Sequence, residues 1–410
     1  MPKRIVAANI TQMRHALVLG VSIDFSHLCT MNWFPSPHSP HRWAVSALFF
    51  ASGLTFSSWA SRIPEVQSIH HLTEGALGGV LFALPARSLI SLPFWGWMIA
   101  RFGSKKMLMI GISLYAALLL LISFTQTTPQ LWMVLLLFGM IGNLCNIAVN
   151  TQAVGVEKLY GKSIMARFHA IWSLAGFTGA AIGNLLIAYQ ATLLVHFLLI
   201  VTIALCLLFF AATQLLTGDA TTQSNAFLVK PDRHLLILGG IAFSCMACEG
   251  TMFDWSGVYF QKVVAAPPKQ VIIGYTAFMS TMAGVRFLGD TIITRLGRQQ
   301  VLRASGLLIC SGLLLAVLFP YILPATLGCM LVGMGVSSVI PVVYSAAGNS
   351  QQYSPSVALA TVSSIGFLGF LLGPPLIGWV AQLFSLRISF TCIAILSLGT
   401  TWLSAKVDAR

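Results

Sequence analysis

The chain reads as an all-α membrane protein: twelve transmembrane helices in two six-helix, pseudo-symmetric halves. Three observations predict this. Its 410 residues are 57% hydrophobic and only 8% charged, too apolar for a water-soluble core under an ordinary polar surface. Apolar runs of the roughly 20 residues that a helix needs to cross about 30 Å of hydrocarbon recur along nearly the whole sequence. The second half also repeats the first. SGLTFSSW at 52–59 matches EGTMFDW at 249–255, GWMIARFGSKK at 96–106 matches DTIITRLGRQQ at 290–300, FGMIG at 138 matches VGMGV at 332, and SLAGFTGAAIG at 173–183 matches SIGFLGFLLGP at 364–374. A nearly constant offset that aligns glycines, aromatic residues and a basic turn together does not arise from shared hydrophobicity.

Charge and cysteine usage narrow the class. Lys and Arg number 23 against 10 Asp and Glu, a formal net charge of +13, which suits either a nucleic-acid binder or a membrane protein with basic loops. Most of these cations fall between spans on the side that holds both termini. That distribution argues against nucleic acid as a partner and puts both ends in the cytoplasm. The eight cysteines sit mostly in apolar runs, where a thiol behaves as a small hydrophobe. Cys245 and Cys248 form a CxxC with no second ligand pair, so neither a disulfide framework nor a metal site is expected.

Taken in order, residues 1–41 contain HALVLGVSIDF and then PSPHSPHR. The apolar run is too short to span, and a poorly ordered cytoplasmic tail is expected. The first span is expected over 42–60, with Trp59 at the membrane interface, Arg62 just beyond it and Pro64 closing the helix. The second, over 76–100, holds Arg87 near its centre, where a guanidinium needs an acid, a carbonyl or water beside it. The GWMIARFGSKK turn that follows places Arg101 and Lys105 at the cytoplasmic face, and its second-half counterpart carries Arg295 and Arg298. In the fourth span Asn143, Asn146 and Asn150 recur at i, i+3 and i+7, one stripe of a helix. Amides so placed either join helices or line a path. In the fifth, His169, Trp172 and Ser173 share a face, and Gly176, Gly179 and Gly183 allow close approach of a neighbour. A polar break after the sixth span sets the expected division: a first half over 42–216, a cytoplasmic linker over 217–233, and a second half over 234–410 ending in a short cytoplasmic tail.

The chemistry concentrates in SCMACEGTMFDWSGVY at 244–259. An acid at mid-membrane costs roughly 2.5–3.5 kcal/mol on insertion scales, so Glu249 and Asp254 call for a partner, a cavity or proton traffic. The repeat aligns Ser52 with Glu249 and Ser57 with Asp254, and a fold needs helices there rather than carboxylates. Arg286 and Asp290, four apart in the eighth span, are expected to neutralise each other as a structural pair.

WASRIPEV, the GWMIARFGSKK turn, NIAVNTQAVGVE, FHAIWSLAG, CEGTMFDWS, AGVRFLGD, VLRASGLL and LGPPLIGW together resemble the major facilitator superfamily, and within it the bacterial YbjJ-like branch distantly related to fucose permease. The resemblance runs from about residue 43 onward. It implies a secondary transporter of the bacterial inner membrane, working by alternating access between two halves. The superfamily's turn carries an aspartate before the first arginine; here Ala100 and, in the second half, Thr294 take that place. The usual latch therefore lacks its acid, which leaves Arg101, Lys105, Arg295 and Arg298 as gating or lipid-binding candidates.

The leading expectation is proton-coupled movement of a small polar solute, a sugar or related metabolite. Glu249 and Asp254 would be the proton-coupling acids, Asn143, Asn146, Asn150, His169 and Trp172 the solute lining, and Arg87 a counter-charge. Sodium could replace the proton, since a carboxylate with amides can coordinate it. The alternatives are a fixed Glu249–Arg87 pair, an efflux antiporter, and a transporter-like sensor that moves nothing. No P-loop, metal-ligand constellation or nucleophile motif points to an enzyme, a cofactor or an ATP-driven pump. Two halves in one chain form a path without a partner subunit, so a monomer suffices.

Overall fold

Apolar runs bounded by turn-forming residues fold here as long helices. The computed structural model describes residues 39–160, 164–217, 231–350, 352–353 and 355–407. Most of the expected tail and linker, and the side chains of Arg87 and Asp290, lie outside the described residues. All regular secondary structure among the described residues is helical, without strands. The helices are α1 (Ser39–Ile69), α2 (Glu74–Phe102), α3 (Ser104–Ile122), α4 (Thr128–Tyr160), α5 (Met165–Ala188), α6 (Leu193–Ala212), α7 (Arg233–Lys262), α8 (Ile273–Leu296), α9 (Arg298–Leu318), α10 (Ile322–Ser337), α11 (Val339–Gly348), α12 (Pro355–Leu383) and α13 (Leu386–Ser404). By length and apolarity ten spans qualify as membrane-crossing among the described residues, with α10 and α11 counting as one broken span. α1, 31 residues long, stands outside these ten, and the start of α2 over Glu74–Ala83 is a shorter apolar stretch.

Helix starts follow local chemistry. Thr73, Thr192, Asp232 and Ser385 each accept a backbone N–H from the first turn of α2, α6, α7 and α13, meeting donors that a helix N-terminus otherwise leaves unsatisfied. Glu157 near the end of α4 does the same for α5 from a distance, accepting the N–H groups of Ile164 and Met165 at 2.8 and 2.9 Å. The two basic turns are geometric copies. Gly103 (φ 81°, ψ 147°) and Gly297 (φ 79°, ψ 157°) each end one helix and start the next, and each donates its N–H to an isoleucine carbonyl, Ile99 or Ile293. Positive φ at both positions requires glycine.

α1 differs from the expectation at its end. Pro64 lies inside the helix, which continues to Ile69. A proline leaves the carbonyl four residues earlier, here that of Ala60, without its helical partner, and membrane helices tolerate this where neighbours pack closely. Pro64 packs on Gly257 of α7, so closely that a Cβ there would lie 2.8 Å from Pro64 Cγ, and Ser68 Oγ in the next turn donates to the Pro64 carbonyl at 3.0 Å. Trp59 and Arg62, expected at the interface, are buried at 1% and 2% exposure. Arg62 turns inward and donates to His196 Nδ1 at 2.9 Å, to the Ala191 carbonyl at 3.0 Å and to Glu65.

Candidate functional site

The site is organised by α7, whose middle is buried from Ser244 through Phe260 with few breaks. Glu249 and Asp254 are five residues apart, which rotates them by about 500° and leaves them about 140° apart around the axis. They therefore face different surroundings. Glu249, 6% exposed, meets Arg286 of α8, whose Nη2 donates to Glu249 Oε1 at 3.2 Å. Asp254, 9% exposed, has no hydrogen bond or ion pair among the described residues.

Arg286 joins three helices besides its own. Its Nη1 donates to Ser173 Oγ on α5 at 2.6 Å, and its Nε points at the Ser337 carbonyl at the end of α10, 3.5 Å away. That carbonyl is available because residue 341, four further on, is Pro341, which has no N–H to give. The break between α10 and α11 thus creates an acceptor facing the guanidinium. The expected Arg286–Asp290 pair involves a side chain outside the described residues; among the described ones the guanidinium reaches Glu249 and Ser173. Among the described residues the cation beside Glu249 is Arg286; the side chain of Arg87, considered from sequence, lies outside them.

One turn beyond Glu249, on the same face of α7, Phe253 is the hub of an aromatic layer. Phe56 of α1 meets it edge-on at 5.4 Å, Trp172 of α5 at 6.4 Å, Phe278 of α8 at 5.8 Å, and Phe370 of α12 stacks on it at 6.3 Å. Trp172 also stacks on Phe56 at 6.1 Å. His169 is exposed and packs edge-on against Phe49 at 5.5 Å.

The three amides of α4 divide. Asn143 Nδ2 donates to Ser91 Oγ of α2 at 3.2 Å. Asn150 Nδ2 donates to the side-chain and backbone oxygens of Asn146, both at 2.8 Å. Asn146 is exposed. The first amide joins two helices, and the other two form a local polar pair.

Beyond the aromatic layer the halves meet, toward the end where α1 stops and α2 starts. Tyr275 OH of α8 donates to Ser57 Oγ of α1 at 3.1 Å, and Ser57 donates to the Gly176 carbonyl of α5 at 2.5 Å. Further out, Lys262 pairs with Glu74 at 2.6 Å, Gln261 donates to Ser68 at 3.3 Å, and Thr73 to Gln382 at 3.4 Å. Gly78 of α2 lies so close to α12 that a Cβ would sit 2.8 Å from the Pro374 carbonyl. At the opposite end, Arg101 lies over Trp97 at 5.5 Å and over Phe102 at 5.6 Å. Lys105 is half-buried, Arg295 is exposed, and Arg298 donates to Ser345 of α11 at 3.0 Å.

Sequence reasoning singled out both acids, Trp172 and His169, and did not anticipate the contacts of Arg286 with Glu249, Ser173 and the Ser337 carbonyl or the aromatic layer around Phe253. Pro341 inside an apolar run was the available signal for Ser337. No cluster of metal-ligating side chains occurs among the described residues.

Comparison with known proteins agrees with this architecture. Residues 44–357 match the family model described as Major Facilitator Superfamily. An uncharacterized MFS-type transporter of Yersinia pestis is 32% identical over 362 residues, covering 88% of this chain and 94% of its own length. An uncharacterized transporter of Sinorhizobium fredii is 33% identical over 354 residues, covering 86% of this chain and 94% of its own length. Among solved structures, a mutant form of the nucleoside transporter NupG superposes with a TM-score of 0.75 at 14% identity, covering 90% of this chain and 99% of the other. The likeness to NupG is one of fold. With a family model spanning most of its length and relatives above 30% identity along nearly all of it, this multi-pass membrane chain belongs to the major facilitator superfamily of transporters.

Proposed function

We propose that the protein is a secondary transporter that carries a small polar, sugar-like solute across the bacterial cytoplasmic membrane by alternating access, coupled to protons through Glu249 and Asp254. The observation that carries this reading is the Arg286 guanidinium shared between Glu249 in one half and Ser173 in the other. Protonating Glu249 removes the charge that holds the guanidinium and frees its donors for a solute, which links solute binding, proton binding and the relation of the halves in one contact. Asp254, buried without a partner among the described residues, is the second acid able to hold a proton. The aromatic layer supplies a wall on which the apolar face of a ring can pack, and Asn146, Asn150 and His169 supply polar contacts. Cross-half contacts at the Glu74 end fit a state closed on that side, which the basic turns and both termini make the outer side. The YbjJ-like branch remains the closer assignment within the superfamily on the motifs of the sequence.

The test is uptake into proteoliposomes by wild type and Glu249→Gln. Loss of accumulation driven by a pH gradient, with solute exchange retained, supports proton coupling at Glu249. Retained pH-driven accumulation refutes it. Nucleosides are the second solute class to assay, because the aromatic layer suits a planar base as well as a sugar face.

A further inference from the structure

The charge balance at Arg286 restricts what the solute can be. Among the described residues no second acid reaches the guanidinium and no second cation reaches Glu249. His169 of α5 lies within electrostatic reach of Arg286. Tyr344 of α11, hydrogen-bonded to Ser363 of α12, lies within reach of Glu249, as do Cys245 and Cys248 on α7 itself. The helices α10, α11 and α12 carry no charged residue, and the one charge on α13, Arg387, donates to the Val317 carbonyl. When Glu249 takes a proton, the guanidinium therefore keeps the Ser173 hydroxyl and the Ser337 carbonyl, and neither is charged. A buried cation left in that state is strongly destabilising. The hydroxyls of a neutral sugar put dipoles where an anion was lost. Another anion restores the balance.

We propose that the solute is a sugar acid, with one carboxylate on a saccharide-sized ring, and that its carboxylate takes the place of Glu249 on Arg286. This rests on the proton-coupled reading above and narrows its solute class. The proton goes to the Glu249 carboxylate, Oε1 leaves Nη2, and the solute's carboxylate arrives; release reverses the order. Glu249 is held at 3.2 Å through Oε1, a single contact that a bidentate carboxylate outcompetes. The guanidinium has five N–H groups, of which three are engaged, so two stand ready before Glu249 leaves. Its side chain is 18% exposed against 8% for Glu249, and His169, one turn before Ser173, is exposed as well. A phosphate ester brings nearly two charges to one cation, and a carboxylate brings one. The ring has its wall close by, since Trp172 directly precedes Ser173 and Phe253 lies about 6 Å along α7 from Glu249.

The test is equilibrium binding to the full chain in phosphatidylcholine nanodiscs, from acid to alkaline pH. The probes are radiolabelled glucuronate, galacturonate and mannuronate, each against its parent sugar, with glucose 6-phosphate as competitor. The expected result is saturable binding of at least one acid, with its parent sugar weaker by about a hundredfold or more. Wild-type affinity for the acid falls about tenfold per pH unit once Glu249 ionises, because the protonated, competent fraction falls in step. Glu249→Gln loses that slope and binds the acid at alkaline pH as tightly as wild type does at acid pH. The double variant Glu249→Gln/Arg286→Gln, which leaves no unpaired charge to unfold it, binds no acid. Equal binding of the parent sugar, wild-type binding of the acid indifferent to pH, acid binding by the double variant, displacement by glucose 6-phosphate below the acid's own concentration, or no acid bound by wild type and Glu249→Gln overturns the proposal. The two readings fail separately. Accumulation of a parent sugar driven by a pH gradient and lost in Glu249→Gln would keep proton coupling and overturn the sugar acid. Retained pH-driven accumulation in Glu249→Gln, with acid binding still lost on removal of Arg286, would refute coupling at Glu249 and support the solute class.

Discussion

Neutralising Arg286 tests the centre of the structure most directly. At 3.2 Å and an effective dielectric of about 20, unit charges attract by about 5 kcal/mol. Desolvation offsets part of this, but removing one partner of a buried pair leaves the other uncompensated and typically costs about 3–5 kcal/mol. Arg286→Gln should therefore destabilise by an amount in that range, since Glu249 then has no cation among the described residues. Glu249→Gln should cost less, because the guanidinium keeps Ser173 Oγ and the Ser337 carbonyl. The double variant removes both charges and should recover most of the loss, with a coupling energy of about 2–3 kcal/mol. Equilibrium unfolding in mixed micelles, followed by tryptophan fluorescence, gives all three values. Additive losses in the double variant would refute the pairing and return Arg286 to a partner elsewhere. Loss of both solute exchange and pH-driven accumulation in the double variant, which lacks the guanidinium as well as the acid, is the matching functional result.

Four further outcomes are expected. Gly78→Ala places a methyl against the α12 backbone at Pro374, where nothing flexible can yield. It should cost about 1–3 kcal/mol in the closed state, seen as faster alkylation of cysteines introduced at the outer end. Lys262→Ala should have a much smaller effect, within about 1 kcal/mol and weakened by salt, because the Lys262–Glu74 pair is partly exposed at 38% and 25%. Burial lowers the pKa of His70, in the turn after α1. The unfolded chain then binds the proton more readily, so its contribution is complete above the ordinary histidine range and is lost as pH falls through it; His70→Gln should flatten the acid limb of a melting-temperature profile. Pro341→Ala restores an N–H able to take the Ser337 carbonyl, and should loosen Arg286 and weaken solute binding without loss of fold, as titration of the solute would report.

The two acids were legible because a carboxylate in an apolar run stands out whatever surrounds it. The repeat was legible too, and the matched geometry of Gly103 and Gly297 is its local expression. What packs across the bundle was not. Spacing of four residues pointed Arg286 at Asp290, because a one-dimensional rule compares only neighbours on the same helix, and so gave no hint of Glu249 and Ser173, which approach from other helices. Trp59 and Arg62 were read with rules for lipid-facing interfaces, and α1 instead turns both into the protein. Phe253 gave no signal at all, because aromatic residues are ordinary constituents of membrane helices and only their meeting in space makes a layer.

Phe56 and Phe253 occupy equivalent places in the two repeats and touch each other. In an arrangement related by twofold symmetry, a residue reaches its own mate only beside the axis, so this contact marks the approximate dyad of the molecule. A rocking rotation displaces points in proportion to their distance from the pivot. Under the alternating access proposed above, with the pivot crossing the dyad at mid-helix, Phe56 and Phe253 stay in touch through the cycle while the Glu74–Lys262 pair at the helix ends parts. A crosslink between positions 56 and 253 should thus leave turnover possible, and one between 74 and 262 should arrest it.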